Sequence, residues 1–162
     1  MSNAPARAHH RAPWIALLLV PLLALTGALL PATASSAQGG AGVTATVTAA
    51  SEADGLAVHV TGSGFDGITG AYAAIIEKGT ESSVGMSGGY AAFGYWMTPG
   101  AIVDGAFDAT LVAPTAALDR TRHYEFLVWQ GHTAPDDTTI YARTDIAVTD
   151  AQWDAIFPPP PP

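Results

Sequence analysis

The sequence predicts an all-β domain, a seven-stranded antiparallel Greek-key sandwich, standing behind an N-terminal export signal. Three observations carry this reading. Apolar residues recur at period two in short runs, as in Leu56-x-Val58-x-Val60 and Phe107-x-Ala109-x-Leu111, the spacing of strands with one face in a core. Turn residues punctuate the chain between those runs, most densely in Gly62-Ser63-Gly64-Phe65-Asp66-Gly67. No convincing long stretch of the mature chain keeps the period of an amphipathic helix.

Residues 1–37 read as a signal peptide. Arg7, His9, His10 and Arg11 form a basic start, Trp14 to Leu30 is almost wholly apolar, and Pro31-Ala32-Thr33-Ala34-Ser35-Ser36-Ala37 supplies small residues for cleavage. Ala32-x-Ala34 and Ser35-x-Ala37 both satisfy the small-x-small rule, so the mature chain starts at Ser35 or Gln38. The apolar run approaches the shortest membrane spans, roughly 17 residues, and retention instead of cleavage would make it an anchor. The expected address is extracytoplasmic, secreted or at the cell surface, with membrane contact only through such an anchor.

There is no cysteine, so neither a cysteine-linked lipid nor a disulfide can help. The mature part, about 125 residues, is long enough to be held by its core alone. Removing Arg7 and Arg11 with the signal leaves Lys78, Arg120, Arg122 and Arg143 against 14 carboxylates. The resulting formal charge of −10 argues against nucleic acid as a partner and favours solubility.

Residues 38–42, Q-G-G-A-G, are a flexible leader, and the sandwich domain is expected over 43–149. Val43 to Thr48 alternates apolar residues with threonine, giving the first strand. A turn over Ala49 to Gly55 leads to the second, Leu56 to Thr61, with His59 pointing outward. Ala71 to Lys78 is the third, and its consecutive Ile75 and Ile76 predict burial on both faces. A glycine- and serine-rich loop over Gly79 to Gly89 leads to an aromatic fourth strand, Tyr90 to Met97. Ala106 to Val112 is the fifth, ended by Pro114; Tyr124 to Gln130 is the sixth; Thr139 to Val148 is the seventh. The segment 150–162 is an amphipathic turn capped by Thr149 or Asp150, then a polyproline tail, Pro158 to Pro162.

The glycine corner after the second strand matches G-x-G-x-x-G, yet a strand-like run follows where a dinucleotide site needs a helix, and Asp66 would repel phosphate. Gly62, Gly64, Phe65 and Tyr72 are therefore assigned to a structural corner. The rings of Tyr90, Phe93, Tyr95 and Trp96 are the candidate ligand patch. Alternation puts Tyr90 and Trp96 with Ala92 and Gly94 on one face, and Phe93 and Tyr95 with Ala91 and Met97 on the other. His59, His123 and His132 are isolated, without metal-ligand spacing. His123 and Tyr124, as neighbours in a strand, point to opposite faces. Asp136 and Asp137 belong to no calcium-loop pattern, and no serine stands in a nucleophile elbow. No catalytic, cofactor-binding or metal-binding residue is assigned, and no cofactor is expected.

The run V-H-V-T-G-S-G-F-D-G-I-T-G-A-Y-A-A-I-I resembles the V-x-V-x-G-x-G-F-x-x-x-x-G-x-Y-V segment of neocarzinostatin-like, immunoglobulin-type domains of actinobacterial exported proteins. Gly105 to Leu111 is similar to their G-x-F-x-x-x-L strand, and Phe126 to Val148 to their final hairpin. The resemblance spans roughly Val43 to Thr149. It implies an immunoglobulin-like sandwich of a kind often found with haem-uptake modules, and its matched positions are scaffold residues. The combined expectation is a non-catalytic binding or interaction module for a protein, a cell-wall component or a small apolar ligand. The alternative is a carrier of a small apolar ligand or haem that uses the aromatic patch; an extracytoplasmic enzyme stands third.

Overall fold

A computed structural model describes residues 35–36, 40–68, 70–85, 87–97 and 101–160. The rest of the expected signal and leader lies outside them, as do the side chains at 93–97. The chain is mostly β. Its strands are β1 (Ser35–Ser36), β2 (Gly42–Ser51), β3 (Gly55–Ser63), β4 (Ala71–Glu77), β5 (Ala92–Met97), β6 (Phe107–Ala113), β7 (Tyr124–Gln130) and β8 (Ile140–Ile146). They form two antiparallel sheets, one in the order β1-β8-β7-β4-β5 and the other β2-β3-β6. Ser35 and Ser36 pair with Arg143 and Ala142, at the point where the sequence places the cleavage sites.

The main core lies between the sheets. Val58, Val60, Phe107 and Leu111 from one sheet pack with Ile75, Phe126, Val128 and Ile146 from the other. In the three-stranded sheet burial alternates along β2 and β6, so threonines and charged groups face outward while Val43, Val47, Leu111 and Phe107 face inward; Val112 is the exception, exposed on the outer face. Along β4 and β7 six consecutive residues are buried. Ile75 belongs to the main core and Ile76 to a second apolar cluster with Tyr72, Ala74, Val84, Leu127, Trp129 and Ile140. The five-stranded sheet is thus apolar over part of its outer face too.

Local chemistry explains the connections. The β2–β3 hairpin closes through Gly55, at φ +83°, and the corner after β3 turns on Gly64, at φ +77°. A side chain at Gly64 would start 2.6 Å from the carbonyl oxygen of Gly40, so the corner needs glycine for space as well as for dihedral angle. Gly62 has a different reason: a Cβ there would run into the Phe107 ring. After β8, helix α1 (Asp150–Ile156) starts with a full capping box, Thr149 and Gln152 each bonding the other's backbone N–H, worth about 1 kcal/mol. The helix buries Trp153 and Ile156 in the main core, where Trp153 lies 6.2 Å from Tyr124, ring centre to ring centre.

The aromatic strand departs from simple alternation. It begins at Ala92, and Ala91 and Ala92 are both buried in the main core. Tyr72 pairs with Trp96 and Ala73 with Tyr95, but a register shift follows and Ala74 pairs with Phe93. The backbone irregularity falls at Gly94, the residue skipped in the pairing, and a one-residue irregularity interrupts the period-two alternation of a strand.

Candidate functional site

The outer face of the five-stranded sheet is organised in rows. Tyr72 on β4 pairs with Trp129 on β7, Ala74 with Leu127, and Ile76 with Glu125, while Trp129 also pairs with Ile140 on β8. One end of the face is therefore apolar and aromatic, and the other carries charge. Two loops cover it. The segment after β4 holds a short 3-10 turn, Glu81–Ser83, and lays Val84 on the apolar cluster. The β7–β8 loop approaches from the other side.

Between these loops a cleft of about 360 Å³ opens over the aromatic end. Tyr72 and Trp129 form its floor, with ring centres 5.6 Å apart and planes tilted by 46°. Val84 and Gly85 form one wall, and His132, Thr133, Ala134 and Pro135 the other. The His132 ring stands edge-on to Tyr72 at 6.2 Å. Such a volume lies at the lower end of small-molecule sites, as does the predominance of apolar and aromatic walls with a few polar groups at one edge.

The second wall is stiffly built. Trp129 Nε1 donates to the carbonyl oxygen of Thr133 at 3.0 Å, and the Thr133 hydroxyl donates to Gln130 O at 2.8 Å. Asp136 Oδ1 accepts from the hydroxyl and amide of Thr138 and the amide of Thr139. The Thr138 hydroxyl, followed by these amides, holds the Asp136 carboxyl below its usual range, and this use as a turn cap accounts for the aspartate. His132 has φ +64°, a left-handed conformation that costs a non-glycine residue on the order of 1 kcal/mol or more. The loop therefore pays a conformational cost to place an imidazole at the cleft edge.

The residues singled out in the sequence are dispersed. Tyr90 packs against the second cluster and borders a separate hollow with Glu77, Thr80, Ser83, Gly89 and Tyr124. The side chains of Phe93, Tyr95 and Trp96 lie outside the described ones. Phe65 is buried at the corner, 5.3 Å edge-on from Phe107. Tyr72, assigned to the same corner, forms the cleft floor instead.

His59 is on the outer face of the three-stranded sheet, 2.9 Å from Asp108. His123 precedes β7 and borders a polar hollow with Arg120, Arg122, Tyr124 and Asp150. Burial raises the Tyr124 phenol above its ordinary range; its oxygen accepts the Asp119 amide at 2.8 Å. Both arginines there already hold carboxylates, Arg120 with Asp154 and Arg122 with Glu77. Among the described residues no group of three histidines, aspartates or glutamates is placed to hold a metal ion.

Trp129 escaped sequence reasoning because it has an ordinary explanation as a core ring, and His132 was weighed only as an isolated histidine without metal-ligand spacing. The available signal was Trp129 on the same strand face as Leu127, inside a run with no polar alternation. Compared with protein-family models, curated proteins and solved structures, the chain matches none.

Proposed function

We propose that this chain is a non-catalytic, extracytoplasmic binding module that takes a small apolar ligand in the Tyr72–Trp129 cleft. The single observation carrying the reading is the aromatic-floored hollow on a sheet face that would ordinarily be wet. Among the described residues lining it there is no carboxylate, amide side chain or guanidinium. A hydroxyl-rich sugar would leave its polar groups unmatched there, whereas a planar ligand of one to a few rings with one polar edge group would meet His132 and Thr133 at the rim. The signal-like N-terminus supports export, to the medium or to the cell surface. The strand orders β2-β3-β6 and β8-β7-β4-β5 are compatible with the finer proposal of an immunoglobulin-like Greek key of seven strands; the neocarzinostatin-like, actinobacterial type is proposed from the resemblance of the glycine corner.

The test is a titration of the mature chain with N-phenylnaphthylamine, a neutral apolar fluorophore. Saturable enhancement is expected, lost in Ala134→Trp, which fills the cleft from an exposed position, and retained in Tyr95→Ala. The reverse pattern would move the site to the ring patch on β5. No saturable binding, with the fold intact by circular dichroism, would overturn the reading.

A further inference from the structure

The rings at the floor of the cleft expose little surface, Trp129 2% and Tyr72 9%, and the Val84 wall beside them is 5% exposed. Stacking of a ligand on these rings needs a wall to move, and the β7–β8 wall is bonded to the Trp129 ring itself through Thr133, which leaves the Val84 wall as the one to lift. What pins that wall is an unusual group for the outer face of a sheet, a buried carboxylate. Glu125, 1% exposed, accepts the Gly79 amide on Oε1 at 3.2 Å and has Arg143 Nε 3.8 Å from Oε2. Arg143 Nη2 in turn donates to Glu81 Oε1 at 3.2 Å. Glu81 opens the turn that ends at Val84, whose amide donates to Glu81 O at 3.1 Å. A single guanidinium thus ties the sheet, through β7 and β8, to the segment carrying the wall.

We propose that Glu125, Arg143 and Glu81 form an ionic latch that holds the Val84 segment shut over the aromatic floor, and that ligand entry requires the latch to yield. The inference rests on the cleft being the binding site. Two features make the latch weak on its outer side. One guanidinium serves two carboxylates, and Glu81 Oε2 is buried without a hydrogen-bond partner among the described residues. An unmatched buried oxygen carries a desolvation penalty that opening relieves. Gly79, at φ +81°, and Gly89, at φ +87°, bound the segment at positions that can swivel.

A latch has a signature that mere structural support lacks. If only the lifted state binds, the apparent dissociation constant is the intrinsic one divided by the fraction lifted. Weakening the latch should then tighten binding, while damage to the site should weaken it. The variant of choice is Glu81→Gln, which leaves the buried Glu125–Arg143 contact in place; Arg143→Met would strand the Glu125 charge and risks unfolding.

The measurements are stopped-flow association of N-phenylnaphthylamine and hydrogen exchange at the Ser83 and Val84 amides. Glu81→Gln is expected to raise the association rate and lower the apparent Kd together, by about 3- to 10-fold, with dissociation unchanged and with faster exchange at both amides. Glu81→Asp should fall between the variant and the wild type. Unchanged rates and exchange in Glu81→Gln, with the wild type binding normally, would overturn the latch and leave the cleft standing. Faster exchange without tighter binding would overturn its role in entry. Absence of probe binding in both proteins would overturn the cleft, and with it the gating role.

Discussion

The two sheets differ most on the faces they turn away from each other. The outer face of the three-stranded sheet carries Thr44, Thr46, Thr61, His59, Asp108 and Thr110 beside one exposed valine, Val112, with Thr44 Oγ1 2.7 Å from Thr61 Oγ1 and His59 Nε2 2.9 Å from Asp108 Oδ1. The outer face of the five-stranded sheet carries Tyr72, Ala74, Ile76, Leu127, Trp129 and Ile140 under two loops. The first is written for water and the second for a cover. Since the loops leave a cleft in that cover, the difference separates a face turned to solvent from the face on which the proposed binding site lies.

The largest expected effect breaks this asymmetry at its centre. Trp129→Ala would empty the cleft floor and remove the Thr133 contact; a buried tryptophan truncation costs about 3–5 kcal/mol. Thr110→Ala, on the exposed face of the other sheet, should stay within about 0.5 kcal/mol. Paired urea melts measure both. Similar losses in the two variants would mean that the outer faces are energetically alike and that the apolar one is not a packed layer.

The same asymmetry decides what was legible in the sequence. Wherever a strand has one wet face, the period-two pattern is unambiguous, so the segments around Val43–Thr48, Leu56–Thr61 and Phe107–Leu111 could be placed within a few residues and given an inward face. Ile75-Ile76 also announced a doubly buried strand, because two adjacent isoleucines cannot both face water cheaply. A continuous apolar run does not say what covers it, so neither the Glu81–Ser83 turn nor Val84 could be read as a lid from a loop of glycines and serines. The register shift between Ala73 and Ala74 skips Gly94 on the partner strand; a glycine inside a strand is the residue type that marks a bulge, and a strict period-two reading of 90–97 passes over it. Trp153 and Ile156 were visible as an amphipathic turn, but nothing local said that they close the main core.

A smaller effect sharpens the comparison at the hinge of the cover. Gly89 has φ +87°, and a Cβ there would collide with the backbone carbonyl oxygen of Ser83; Gly67 has φ +76° with open space around the same position. Both substitutions to alanine carry left-handed strain of about 1 kcal/mol. Gly89→Ala should add a steric penalty that displaces the covering segment, so its cost should exceed that of Gly67→Ala. Thermal unfolding of the pair tests this. Equal melting temperatures would show that the segment adjusts freely and is not held against the sheet.

The smallest effect is a pH dependence confined to the covered face. The Glu81 backbone amide holds the Glu81 carboxyl below its ordinary value of 4.5; burial opposes this, and Arg143 adds to the lowering. A carboxyl depressed on folding contributes stability that is fully present above its unfolded value and is lost as the pH falls through the folded one. The hold on the Val84 segment should therefore be complete at neutral pH and weaken only below about 4.5. Comparing wild type with Glu81→Gln at each pH cancels the intrinsic pH dependence of amide exchange. The ratio of protection at Ser83 and Val84 should exceed one at pH 7 and decline towards one on acidification. The ratio at β3 amides, under the threonine face, should stay near one throughout. Asp119 and Asp136 are also depressed, chiefly by bonds from Thr121 and Thr138, but both variants share them, so their titration drops out of the ratio. A ratio that is flat with pH at Val84 would show that the Glu81 charge does not hold the cover, and the two outer faces would then differ in packing alone.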